Sequence, residues 1–121
     1  MCLVTDEAYA GPRSGLFFKV LRRFGGLRSP YRGEPYPERG PLFRLPPRPR
    51  QPVLHGGMYH VFVNGKDALA MAVNLTVEFE VHLVRASAAD FVAGGSWEAV
   101  VGQVTAGFLC LDVVGPFTGN D

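Results

Sequence analysis

The sequence predicts an α+β domain: a mostly antiparallel β-sheet with one short helix packed on it and a long Pro/Arg-rich loop. Three observations carry this reading. Tyr59–Val63 has the aromatic and β-branched content of a strand, whose side chains point alternately to two faces, and over Val77–Leu83 apolar and polar residues alternate with the same period of two. Between them, Asn64 is followed by an alanine-rich stretch reaching Val73, which has the composition and start signal of a short helix. Eight of the ten prolines fall between Pro30 and Pro52, where they forbid a regular helix and deny a sheet its donors.

Taken in order, residues 1–14 read as a loosely held segment ending in Gly-Pro-Arg-Ser. Leu16 to Arg23 has the aromatic and β-branched content of a strand, and Phe24-Gly25-Gly26 is a turn that lets Leu27–Arg32 return as its hairpin partner. A helix over 15–23 is the rival reading, because Leu16, Val20 and Arg23 also fit a helical stripe. Residues 33–52 form the Pro/Arg-rich loop, within which Leu42–Leu45 is expected to pair briefly at a sheet edge. The central unit spans Val53 to Arg85. Its first strand places Tyr59, Val61 and Val63 on one face and Met58, His60 and Phe62 on the other. Its helix has Asn64 as N-cap and Asp67 in the first turn, where the dipole favours a carboxylate, with Leu69 and Val73 facing the core. Its second strand turns Val77, Phe79, Val81 and Leu83 inward and Glu78, Glu80 and His82 outward. Ser87-Ala88-Ala89-Asp90 has the form of a capping box, predicting about one helical turn before Gly94-Gly95 stops it. Strands over 98–104 and 108–114 follow, joined by Thr105-Ala106-Gly107, and residues 115–121 read as a tail.

At 121 residues the chain is one domain, large enough for a core of its own. It has no apolar run of the ~18 residues that a membrane helix needs. The first ten residues carry Asp6 and Glu7 and do not have the form of a secretion signal, so a cytoplasmic, non-secreted protein is expected, with Cys2 and Cys110 as reduced thiols. The net charge of +1 conceals an asymmetry. Residues 13–50 hold ten basic side chains against Glu34 and Glu38, whereas 51–121 hold two against seven acids. Such a split points to a polyanionic or acidic partner.

The candidate chemistry is limited. His55 and His60 differ by an odd number, which on a strand sends them to opposite faces, and no Cys-x-x-Cys or His-x-x-x-His pair occurs, so no metal is expected. The glycine pairs at 25–26, 56–57 and 94–95 lack the spacing and lysine of a phosphate loop; turns account for them, and no cofactor is expected. What remains is the basic region. Arg22, Arg23, Arg28, Arg32, Arg44, Arg48 and Arg50 are interleaved with aromatics that include Tyr31 and Tyr36. Arginine grips phosphate or carboxylate through two nitrogens, and aromatic rings stack on unpaired bases. These nine residues are the candidate binding set, for nucleic acid or an acidic protein; solvated arginines on a proline-rich loop are the plainer account of them. The expected function is a non-enzymatic binding module, with a virion or assembly component as a further alternative.

Two resemblances bear on function. Tyr31-Arg32-Gly33, Leu54-His55-Gly56-Gly57, the aromatic strand with its Asp67-Ala68 helix, and Glu78-Phe79-Glu80 resemble pieces of ADP-ribosyltransferases, without the serine motif of the Arg-Ser-Glu class. That resemblance implies, as the alternative, a nicotinamide dinucleotide held by the histidine and a tyrosine and oriented by a glutamate. More of the chain, about residues 16–104, is similar in outline to a loose group of small uncharacterised proteins of bacteria and their phages. The similarity is carried by Phe18-Lys19-Val20-Leu21, Gly26-Leu27-Arg28-Ser29-Pro30-Tyr31, Tyr59-His60-Val61-Phe62 and the Ala68 helix. It implies a phage- or mobile-element-associated context and no particular activity.

Overall fold

The computed structural model describes residues 3–30, 32–44, 54–55, 58–76, 80–97 and 100–117. Along these the chain forms β1 (Leu3–Thr5), β2 (Gly15–Arg23), β3 (Leu27–Arg28), β4 (Pro35–Tyr36) and β5 (Gly40–Phe43). It continues as β6 (Leu54–His55), β7 (Tyr59–Phe62), α1 (Gly65–Leu75), β8 (Val81–Trp97) and β9 (Val100–Pro116). The domain is thus mostly antiparallel sheet with one short helix. The described part of the Pro/Arg-rich loop holds β4 and β5; residues 45–53 lie outside the described residues.

Two long strands organise the sheet. Val81–Ala88 of β8 pairs with β2, Gly95–Trp97 pairs with β1, and the opposite edge of β8 runs along β9. On its far side β9 pairs with β7 through Thr105–Phe108 and with β5 through Cys110–Val113. Because β2 and β7 also meet, at Phe18 and Phe62, the strands β2, β8, β9 and β7 close a ring. Closing so few strands demands strong coiling, and the β8–β9 ladder slips register at Arg85/Ala86, Phe91/Ala93 and Ser96/Trp97. Asp90, at φ 60°, lies beside the second of these irregularities.

Strand alternation then sorts the side chains into two cores. Phe17, Leu21, Val61, Phe108, Leu111 and Val113 pack on the enclosed face with the small residues Ala86, Ala88 and Ala106. Phe17 and Phe108 meet with centroids 4.9 Å apart. The opposite face of β2 and β7 offers Val20 and Phe62 to Ala68, Met71, Ala72 and Leu75 of the helix, with Trp97 joining from β8. The expected alternation of the 59–63 strand is therefore present, and both of its faces are buried.

The hairpin of β2 and β3 forms as the sequence implies, with Gly25 and Gly26 at φ 64° and 109° in the turn. The expected pairing of Leu42 at a sheet edge is also present, as β5 on β9. Within the segment read as loosely held, Leu3 is fully buried between β6 and β8, and Tyr9 stacks on Phe91 at 5.7 Å. Three expectations are corrected. Leu69 and Val73 face solvent, and the helix buries positions 68, 71, 72 and 75 instead. Alanine at 68 and 72 lets the backbone approach the sheet, while Met71 and Leu75 supply bulk; this is one stripe at i, i+3, i+4 and i+7. Ser87–Ala93 is not helical but the middle of β8, and Gly94-Gly95 does not stop it. Thr105–Gly107 is not a turn but the interior of β9. In both stretches long-range pairing overrides local propensity.

Asp67 also does more than complement the dipole. Asn64 makes no side-chain cap to the helix backbone. Asp67 Oδ2 instead accepts the Val104 N–H at 2.9 Å, tying the first helical turn to β9. Removing that acceptor with Asp67→Ala leaves a part-buried amide without a partner, and the urea midpoint is expected to fall by the equivalent of about 1–2 kcal/mol.

Candidate functional site

Alternation on β2 places Lys19 between Phe17 and Leu21, on the face that builds the enclosed core. The lysine is only 7% exposed. Its ammonium donates to the His60 carbonyl oxygen at 2.7 Å and lies 5.2 Å from the centroid of the Tyr36 ring. Burial is the main reason that its pKa falls to about 8; the nearby Arg44 guanidinium lowers it further, and Glu34 opposes both.

Arg44 follows β5 and continues its ladder, its own N–H donating to the Leu109 carbonyl at 2.8 Å. Its guanidinium pairs with Glu34 and lies 4.4 Å from the Tyr59 ring centroid. Arg32 approaches the same carboxylate at 3.8 Å. Tyr36 and Tyr59, both buried, meet edge to face with centroids 6.1 Å apart. Burial, before any charge, holds the Tyr36 phenol well above the ordinary tyrosine range, so it stays protonated.

Together these groups border a cavity with about 70 Å³ open to the centre of a water molecule. Its lining includes the polar Lys19, Arg32, Arg44, Glu34, Tyr36 and His60. It also includes the apolar Val20, Phe62, Met58, Met71 and Trp97. Thr105 also lines it; this residue is 2% exposed and its Oγ1 has no hydrogen-bond partner among the described residues. Native proteins leave few buried polar atoms unsatisfied, and an orphan hydroxyl in a cavity wall is a place where a bound molecule gains a hydrogen bond. Three cations against one carboxylate give the lining an excess of positive charge. The arrangement suits a molecule with an acidic group at one end and an apolar body at the other.

Of the nine residues expected to bind, Arg32, Tyr36 and Arg44 border this cavity. Arg23 goes elsewhere, to Glu38 at 2.9 Å and His82 at 3.2 Å. Arg28 donates to the carbonyls of Phe24 and Gly33, bracing the hairpin end, and Arg22 stands opposite it across the β2–β3 pair. Tyr31, Arg48 and Arg50 lie outside the described residues. Lys19, His60, Trp97 and Thr105 were not in the expected set. Lys19 did leave a signal: a lone cation at the centre of an apolar strand face is costly to bury without a purpose or a partner. Trp97 and Thr105 left none, because their places depend on long-range pairing of β8 and β9 with each other and with β1 and β7.

For the transferase alternative, Tyr59 is buried beneath Arg44, and Glu80 is exposed and bonded to His82 at 3.2 Å; Glu78 is outside the described residues. Among the described residues no group of three or more His, Cys, Asp or Glu is placed to hold a metal, and no helix is long and apolar enough to cross a membrane. No protein-family model matches the chain, and no curated protein or solved structure matches it either.

Proposed function

We propose that the protein is a binding module whose basic region forms a receptor for small organic acids. The acid group is received by Lys19, Arg44 and Arg32, and the apolar body lies against Trp97, Met58 and Met71. The observation that carries this reading is the joining, in one cavity, of a buried lysine, an arginine and an unpartnered buried hydroxyl to an apolar wall. A charge-assisted hydrogen bond to a buried cation contributes about 1.5–3 kcal/mol, enough with apolar burial for micromolar binding of a small aromatic acid.

Trp97 is the only tryptophan and borders the cavity, so its fluorescence reports occupancy. Titration with benzoate or phenyl phosphate is expected to change its emission saturably, whereas acetate, which has no apolar body, acts only at much higher concentration. Arg44→Met is expected to weaken binding by roughly tenfold or more while the circular dichroism of the sheet persists. If Trp97 emission is indifferent to every acid at millimolar concentration, the reading is wrong.

The nucleic-acid reading remains a second proposal, favoured by one observation. Phe24 and Phe43 are 75% and 77% exposed, and Arg23 and Arg28 flank Phe24, Arg28 bonding its carbonyl. Exposed rings beside arginines suit stacked, unpaired bases. Retention of single-stranded DNA at low salt that is lost in Phe24→Ala supports this use of the surface; no retention removes it.

A further inference from the structure

Resting on the reading of the cavity as an acid receptor, we propose that Lys19 acts there as a nucleophile, condensing with the carbonyl of an oxo acid to form a Schiff base. The geometry supplies three requirements. The amine borders a cavity and donates a hydrogen bond to the His60 carbonyl, which orients it without occupying the nitrogen lone pair of the neutral form. Arg44 and Arg32 line the cavity, both beside Glu34, and receive the acid group, so that a carbonyl elsewhere on the same small molecule is held within the cavity that Lys19 borders. The apolar wall limits bulk water, which favours condensation over hydrolysis.

The charged and titratable groups around the amine are Arg44, Glu34, Tyr36 and His60. Burial and Arg44 both favour the neutral amine, the form that attacks, and Glu34 is drawn away by its pairing with Arg44. Tyr36, kept protonated by burial, has its ring centroid 5.2 Å from the Lys19 nitrogen and offers a phenolic proton beside it. In the step itself the nitrogen lone pair forms a C–N bond as the C=O π pair moves to oxygen. Proton transfer from nitrogen to that oxygen gives the carbinolamine. Loss of that hydroxyl, together with the remaining proton of the nitrogen, as one water then leaves the neutral C=N bond. No oxidant, reductant or metal takes part.

The chain contains a second lysine, Lys66, exposed at the start of α1, which serves as an internal control. The full-length protein is treated at pH 8 with 4-formylbenzoate and cyanoborohydride, and the adduct is located by intact mass and peptide mapping. The expected result is a lysine adduct on Lys19, formed roughly tenfold faster than on Lys66, because an ordinary lysine near 10.4 is almost wholly protonated at that pH. Benzoate is expected to block it, and benzaldehyde, which lacks the acid group, to react more slowly. Labelling of Lys66 at a rate equal to or above that of Lys19 overturns the proposal. If Trp97 responds to benzoate while Lys19 stays unlabelled, the nucleophile proposal fails and the receptor reading survives. If neither occurs, both fail.

Discussion

Gly95→Ala is expected to destabilise the domain by about 3 kcal/mol, although alanine in a strand is ordinarily an improvement. Restricting the unfolded chain by a glycine-to-alanine change stabilises by about 0.4–1 kcal/mol where the native backbone accepts a side chain. Here the added methyl group would run into the carbonyl oxygen of Val4, on a strand hydrogen-bonded to β8 at that very position. Backbone held in a ladder has no rotamer with which to retreat, so relief requires separating β1 from β8 and exposing Leu3. Overpacking of this kind costs about 1–3 kcal/mol, and partial loss of a buried leucine adds to it. Gly94→Ala provides the contrast. Its methyl group meets the ring of Tyr9, a part-exposed side chain that can swing aside, and the expected loss is about 1 kcal/mol. Urea unfolding of the two variants measures the difference. Equal midpoints for the two would mean that β1 is not held on β8.

The second large effect is on the pH dependence of stability. The folded-state pKa of Lys19, about 8, lies below its ordinary value, so between roughly pH 8 and 10.5 the unfolded chain binds the proton more tightly than the folded one. Stability therefore rises with pH across that window, by up to about 3 kcal/mol. Below pH 8 both states carry the proton, and the folded state bears the full cost of a buried charge. Tyr36 sets the upper limit. Burial keeps its phenol protonated in the fold, so above about pH 10 only the unfolded chain ionises and stability falls again. Tyr9, raised mainly by burial, acts in the same direction. The expected profile climbs from pH 8 to near 10 and then declines. Lys19→Met should abolish the climb and keep the decline. Urea midpoints of the two proteins at successive pH values test this, and parallel profiles from pH 7 to 10 would show that Lys19 is not buried as a charge.

The parts of this fold that are legible in the sequence are those fixed by neighbours along the chain. Gly25-Gly26 specifies a tight turn whatever surrounds it, and the aromatic and β-branched run of 59–63 marks a strand from its own side chains. The helix position is equally local, but its buried face is not. Leu69 and Val73 are the larger apolar residues, yet the sheet needs Ala68 and Ala72 beneath the helix, and that need exists only once the sheet is present. The Ala86–Ala89 stretch misleads for the same reason. Alternate alanines there are small because Ala86 and Ala88 project into a narrow ring opposite Phe17 and Phe108, and in isolation they look like a helix. As for the site, Arg32, Tyr36 and Arg44 were within reach of composition, while their convergence with Trp97 depends on pairings separated by tens of residues.

The closed ring has a consequence for how the chain comes to be folded. Strand β9 follows β5, β7 and β8 in the chain, and it supplies a partner for all three. Until it leaves the ribosome, β2 and β8 have a free flank, β5 and β7 lack their principal partner, and the phenylalanines of the enclosed face have nothing to close over them. Contacts of such long sequence separation form slowly and only after loop entropy has been overcome. Closure of the ring therefore waits until β9 has been made, and until then the apolar strand edges of the nascent chain need shielding.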